Sequence, residues 1–183
     1  MRAFITALVV AAAAAPAFAQ SPPKGIERSI DKFTGAITDR SRIELLDQES
    51  GAAGSIFLGL MRIQSPKDTT AGLAIVTAYM GREWLWVQPG ESMLVKADDS
   101  VFAVSRSGEP KTDITTSGTA QEFTAFPITK DELALISKAK SVSFRFRGRN
   151  RNEERDLSKP ARTAVEIFAR WIATDSSYRY LRR

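Results

Sequence analysis

Residues 73–106, LAIVTAYMGREWLWVQPGESMLVKADDSVFAVSR, decide the fold that the sequence predicts. Short apolar runs alternate in this stretch with turn signals at Gly81-Arg82, Pro89-Gly90 and Asp98-Asp99. That alternation is typical of antiparallel strands joined by tight turns. We therefore predict a four-stranded meander with strands at 73–80, 83–87, 92–97 and 101–106.

The turns also fix the register of this meander. They place Trp84 opposite Val95 on one side and Phe102 opposite Val95 on the other. One face becomes bulky and is predicted to form the main core, with Ile75, Thr77, Tyr79, Trp84, Trp86, Met93, Val95, Phe102 and Val104. The opposite face carries smaller residues, among them Ala74, Val76 and Ala78, and we expect a helix or a second layer of strands to cover it.

Strands and helices are predicted on both sides of the meander. Further strands are expected at 32–38, 42–46, 55–63, 121–126, 141–147 and 153–157. A capping box at Thr129 and Glu132 begins one helix, and Ser158 followed by Pro160 begins a second. The predicted fold class is α+β, a curved antiparallel β-sheet or sandwich of about 8–10 strands with two helices packed on it.

The N-terminus has the composition of an export signal. Arg2 is followed by an apolar run too short to span a bilayer, and Ala17 and Ala19 suit signal peptidase cleavage. We predict a cleaved signal peptide at 1–19, an extended leader at 20–30, one α+β domain at 31–173 and a basic C-terminal tail at 174–183. The mature protein is expected to be periplasmic or secreted, without a transmembrane span.

Composition excludes several kinds of chemistry. The 183 residues include no Cys and no His. Disulfides, Ser-His-Asp triads, Cys-His dyads and His-based zinc sites are therefore ruled out. We expect neither a metal nor a cofactor, and no catalytic residue is predicted.

The formal net charge of +5 is concentrated in the C-terminal third. The candidate binding residues are a row of arginines, Arg145, Arg147, Arg149 and Arg151. Guanidinium groups match carboxylate and phosphate oxygens, so this row predicts an anionic partner. The alternative is a solvated strand face paired with the acids at 153–156. Nucleic acid is not expected, because the protein is exported and Phe144 and Phe146 point away from the arginines.

Three functions agree with these features. The first is a non-enzymatic binding or envelope-associated protein that recognises an anionic partner, such as an envelope component or a protein. The second is a carboxylate-based hydrolase of envelope glycans, which requires two acids facing each other at about 5–10 Å. The third is a structural envelope component that self-associates through a sheet edge.

Three stretches carry a resemblance: GREWLW at 81–86, TKDEL at 129–133 and AKSVSFR at 139–145. Together they resemble uncharacterised exported bacterial (periplasmic) proteins of similar size, for which no activity is known. The resemblance implies a β-meander closed by helices and an exported location, and it transfers no functional residue.

Overall fold

The structure, a computed structural model, describes residues 21–47, 54–66 and 71–175. The predicted signal peptide and residues 176–183 of the predicted tail lie outside the described residues. The strands are β1 Ile26–Ile30, β2 Ile37–Ser41, β3 Glu44–Leu45, β4 Gly54–Gln64, β5 Ala71–Gly81, β6 Glu91–Ala97, β7 Ser100–Ser105, β8 Ser107–Ile114, β9 Ala120–Pro127, β10 Val142–Arg147 and β11 Asn152–Asp156. The helices are α1 Lys130–Lys138 and α2 Lys159–Thr174.

The strands form two antiparallel sheets. The seven-stranded sheet has the order β1-β2-β4-β5-β9-β8, with β3 paired to β4, and the four-stranded sheet has the order β11-β10-β6-β7. The chain crosses between the sheets three times, through residues 82–90, at Arg106, and through α1 between β9 and β10. The predicted α+β sandwich with two helices packed on its sheets is confirmed.

The core lies between the inner faces of the two sheets and α2. Phe126 of β9 and Phe146 of β10 meet across the sandwich with ring centroids 6.1 Å apart. Phe168 and Trp171 of α2 are buried in the same core. Full burial of one such side chain is worth about 1.5–3 kcal/mol, so packing in this layer stabilises a chain that has no cysteine for disulfides.

The prediction of the meander is correct for two of its four strands paired with each other, β6 and β7. Strands β6 and β7 pair as predicted, with Val95 opposite Phe102 and Met93 opposite Val104. The strand predicted at 83–87 is wrong: β10 pairs with β6 in its place, putting Phe144 opposite Val95. Residues 84–88 instead form a connection without strand structure.

The hairpin predicted at Gly81-Arg82 is also wrong. Strand β5 is central in its sheet and pairs along its length with β4 and β9, so neither edge is open to a third strand. Gly81 does not have the positive φ that the predicted turn requires. A glycine is needed there for another reason, since a Cβ would collide with the phenol of Tyr79.

Both helices begin where their caps predict. The Thr129 hydroxyl accepts the N–H of Glu132 at 3.1 Å, and the Glu132 carboxylate accepts the N–H of Thr129 at 2.6 Å. The Ser158 hydroxyl accepts the N–H of Ala161 at 3.3 Å. These bonds satisfy N–H groups that a helix N-terminus leaves unpaired.

Two strands, one near the N-terminus and one in the middle of the chain, were not predicted from the apolar periodicity. Residues 26–30, which we assigned to the extended leader, form β1 and pair with β2. Residues 32–36, the first part of the strand predicted at 32–38, lie in the connection between β1 and β2. Strand β8 was not predicted, because its sequence SGEPKTDI is polar and contains glycine and proline. It lies at a sheet edge, where such residues are tolerated.

A buried ion cluster joins the end of α2 to the seven-stranded sheet. Asp39 is bound by Arg28 at 2.7 Å and by Arg62, and both arginines also bind Asp175. The indole N–H of Trp171 donates to Asp39 at 3.2 Å. Asp39 and Arg62 are 0% and 1% exposed, so the pairs act in a low-dielectric environment where losing one partner is costly.

Candidate binding surface

The structure divides the predicted arginine row. Arg145 lies on the exposed face of β10 and pairs with Glu154 on β11. Arg151 pairs with Glu153 at 2.7 Å and Glu83 at 3.1 Å, and it donates to the Tyr79 hydroxyl at 2.6 Å. The charges of these two arginines are therefore compensated within the fold.

Arg151 also contacts the buried phenol of Tyr79. Burial raises the pKa of Tyr79, and the positive charge of Arg151 opposes that rise. The Tyr79 ring packs against Gly54 and Gly81, where a Cβ would collide with it. This end of the row is part of the packed interior.

Arg147 and Arg149 differ from their neighbours. Within the residues that the structure describes, neither forms an ion pair. The Arg147 guanidinium donates to the carbonyl of Glu91 at 3.1 Å. The Arg149 guanidinium lies over the Trp86 ring, 5.5 Å from its centroid. Two exposed positive charges thus remain without a carboxylate in this part of the chain.

Trp86 belongs to the tryptophan loop, which we define as residues 82–90. Leu85 and Val87 are buried and anchor this loop. Trp84 is half-buried and Trp86 is 37% exposed, so the prediction that both rings lie in the core is wrong. The reason is the loop's position beside β10, which turns Leu85 and Val87 inward and leaves the indoles outside. The two rings pack together with centroids 5.1 Å apart.

A buried glutamate holds the tryptophan loop. Glu122 of β9 is 1% exposed and accepts the N–H groups of Trp86 at 2.8 Å and Val87 at 2.7 Å. Trp86 has a φ of +53°, a left-handed conformation that costs a non-glycine residue about 1–2 kcal/mol. Glu122 therefore fixes a backbone conformation that the Trp86 side chain alone disfavours.

The loop is also tied to the arginine-bearing segment. The N–H of Gln88 donates to the carbonyl of Arg147 at 2.9 Å, and the N–H of Arg149 donates to the carbonyl of Leu85 at 3.1 Å. These bonds bring the indoles and the two unpaired guanidinium groups into one surface. We call the set Trp84, Trp86, Arg147 and Arg149 the Trp–Arg surface.

Sequence reasoning missed the aromatic half of this surface. Phe144 and Phe146 do point away from the arginines and are buried, as predicted. The aromatic partner of Arg149 comes instead from a distant segment. The alternation at 84–87 signalled two faces, but nothing in it showed which face was buried, because Leu85 and Val87 are as apolar as the indoles.

Asp98 and Glu153, two acidic residues near the arginine-bearing strands, make structural contacts. Asp98 accepts the N–H groups of Lys140 at 3.1 Å and Ser141 at 2.8 Å, and these bonds lower its pKa. Glu153 pairs with Arg155 at 2.8 Å as well as with Arg151. In the described residues, no group of three or more acidic side chains has the geometry of a metal site.

The outer face of the seven-stranded sheet departs from expectation. The small-residue face of β5, carrying Ala74, Val76 and Ala78, was expected to be covered, yet both described helices and the four-stranded sheet lie on the opposite side. Val76 is half-buried, and Phe123 beside Ala78 is 44% exposed. Ala74 and Ala78 are only 9% and 8% exposed, so this apolar face is exposed in the described part of the chain mainly through its larger side chains.

Comparison with other proteins identifies no relative of this chain. The chain matches no protein-family model, and neither curated proteins nor solved structures show significant similarity to it. Among the described residues, no helix has the length and apolar character needed to cross a bilayer.

Proposed function

We propose that this chain is a non-enzymatic binding protein, exported to the periplasm, whose Trp–Arg surface recognises an oxyanion on its partner. The observation that carries the proposal is the pair Arg149 and Trp86. A guanidinium without a carboxylate lies on an exposed indole, and a buried carboxylate, Glu122, holds the backbone beneath that indole.

The stacking of Arg149 favours anion binding. A guanidinium that lies over an aromatic face keeps its N–H edges free and in a fixed plane. Carboxylate, sulfate and phosphate groups accept two parallel hydrogen bonds from such an edge. Because the ring already orients the side chain, less rotamer entropy is lost when the anion binds.

The surrounding charges support the same ligand. Arg145 and Arg151 are neutralised by their own acids, so Arg147 and Arg149 are the members of the row that keep a net positive charge. The exposed indoles add flat apolar area beside the charge, which suits a partner that presents a ring or a methylene chain next to its anion.

A titration of the full chain with dextran sulfate, followed by tryptophan fluorescence, tests this proposal. Replacing both Arg147 and Arg149 with Gln should weaken binding about tenfold or more, and binding by the wild type should weaken as salt rises. Arg145→Gln is the matched control, because Glu154 already compensates that charge. Equal affinity of the double variant and the wild type would refute the proposal.

A further inference from the structure

We infer that the outer face of the seven-stranded sheet is a self-association surface that binds a second copy of this chain. The face consists of the apolar side chains that point away from the core on β3, β4, β5 and β9, together with Ile43. Its members are Ile43, Leu45, Phe57, Met61, Ile63, Ala74, Val76, Ala78, Met80, Phe123, Ala125 and Pro127.

The larger side chains at several positions of this face are exposed, whereas Ala74 and Ala78 between them are 9% and 8% exposed. Ile43 is 54% exposed, Ile63 is 43% exposed and Phe123 is 44% exposed. Four strands over this length cover on the order of 500 Å² in projection. The largest apolar patch on a typical monomer has this size and is often functional, and the area approaches that of small specific interfaces.

The sequence of β5 shows the same requirement. LAIVTAYM at 73–80 is apolar on both faces, a pattern typical of strands that are covered on both sides. One face of β5 packs in the core through Ile75 and Tyr79. The other has no helix or strand packed across it within the described residues.

The arrangement of large and small side chains on this face is complementary to the same face of a second copy. Register places Ala78, which is 8% exposed, between Phe57 on β4 and Phe123 on β9, which makes a narrow hollow between two ridges. In the next row Val76 projects beside Ala125. A surface that alternates large and small side chains can interdigitate with its own copy across a two-fold axis.

The charged residues that border this face are compatible with such a contact. Arg40 lies beside Met61 at one edge, and Lys111 and Asp113 lie on β8 at the other. Charges of both signs therefore surround an apolar centre, as in many protein interfaces. This contact uses the sheet face, whereas the sequence predicted self-association through a sheet edge.

Sedimentation equilibrium of the purified full-length chain tests the inference. The wild type should be dimeric at high concentration and dissociate on dilution. Phe123→Glu should raise the dissociation constant about hundredfold or more, because a carboxylate would be buried without a partner. Ala78→Phe fills the hollow and should also weaken the dimer.

Val101→Glu is the matched control, since Val101 is 65% exposed on β7 of the other sheet. It should leave the dimer unchanged. Ile63→Glu repeats the test on the outer face if Phe123→Glu does not fold, as judged by circular dichroism. A monomer at every concentration, or a dimer that survives Phe123→Glu and Ile63→Glu, would overturn the inference.

Discussion

Glu122, buried on β9, accepts the backbone N–H of Trp86 at 2.8 Å and so connects the interior of one sheet to an exposed indole beside the other. The same carboxylate accepts the N–H of Val87 at 2.7 Å. Two donors on adjacent residues converge on one anion, which is how a short loop without strand structure is held in place.

Glu122→Gln should loosen the tryptophan loop. The neutral amide has one acceptor oxygen in place of two, so one N–H is left without its partner and stability should fall by about 1–3 kcal/mol. Hydrogen exchange should become faster at the amides of Trp86 and Val87. Glu109→Gln, at an exposed site, should change neither quantity. Unchanged protection of both amides in Glu122→Gln would contradict this role.

The positive φ of Trp86 predicts an unusual order of stability among substitutions. Trp86→Gly and Trp86→Ala both lose the indole, but glycine adopts a φ of +53° without strain. Trp86→Gly should therefore be more stable than Trp86→Ala by about 1 kcal/mol in urea unfolding.

Trp84 provides the comparison, since its φ is not positive. At that position the alanine variant should be at least as stable as the glycine variant. If the alanine variant were at least as stable as the glycine variant at position 86 as well, Trp86 would not be held in a left-handed conformation.

The three tryptophans should differ in their access to quenchers. Trp84 and Trp86 lie at the surface, whereas Trp171 is 3% exposed. Iodide should quench most of the native fluorescence of the wild type, aided by the positive charges nearby. In a Trp84→Phe, Trp86→Phe double variant, the remaining emission should resist iodide until the protein unfolds. Efficient quenching of that variant in its native state would contradict the packing of α2.

Asp39 should make stability depend on pH. Burial alone would raise its pKa, but hydrogen bonds from Arg28 and the charge of Arg62 outweigh burial and lower it. Its contribution is therefore present above the unfolded pKa of about 3.9 and is lost as pH falls below that value. Asp39→Asn should cost about 3–5 kcal/mol at neutral pH.

Urea unfolding at several pH values measures this effect. The difference between wild type and Asp39→Asn should shrink below about pH 4. Asp31 and Asp98, whose pKa values are also lowered, remain in both proteins and so cancel in the comparison. Asp99→Asn, at an exposed turn, serves as a control. A difference independent of pH would show that Asp39 is not stabilised as an anion.

Local signals predicted much of the fold. The caps at Thr129 and Ser158 located both helices, because capping depends on residues close in sequence. The turn at Asp98-Asp99 fixed the register of β6 and β7 for the same reason. The sequence did not show that β10, and not residues 83–87, pairs with β6. That pairing depends on strands far apart in the chain, because β4 and β9 already occupy both sides of β5.

The candidate surface shows the same division. The arginines were visible in the sequence, and their spacing on a strand was correct for Arg145 and Arg147. Which of them keep a free charge depends on contacts with Glu83, Glu153 and Glu154. The approach of Trp86 to Arg149 joins residues more than sixty positions apart, and a pattern within one segment carries no information about it.

We propose that the Trp–Arg surface binds an oxyanion. The most direct measurement is a ¹⁵N–¹H NMR titration with dextran sulfate that follows the three indole signals and the Arg Nε signals. We predict that the signals of Trp84, Trp86 and Arg149 shift together and saturably, while Trp171 and Arg145 do not move. Shifts confined to residues outside the Trp–Arg surface, or no shifts at saturating ligand, would show that this surface does not bind the oxyanion.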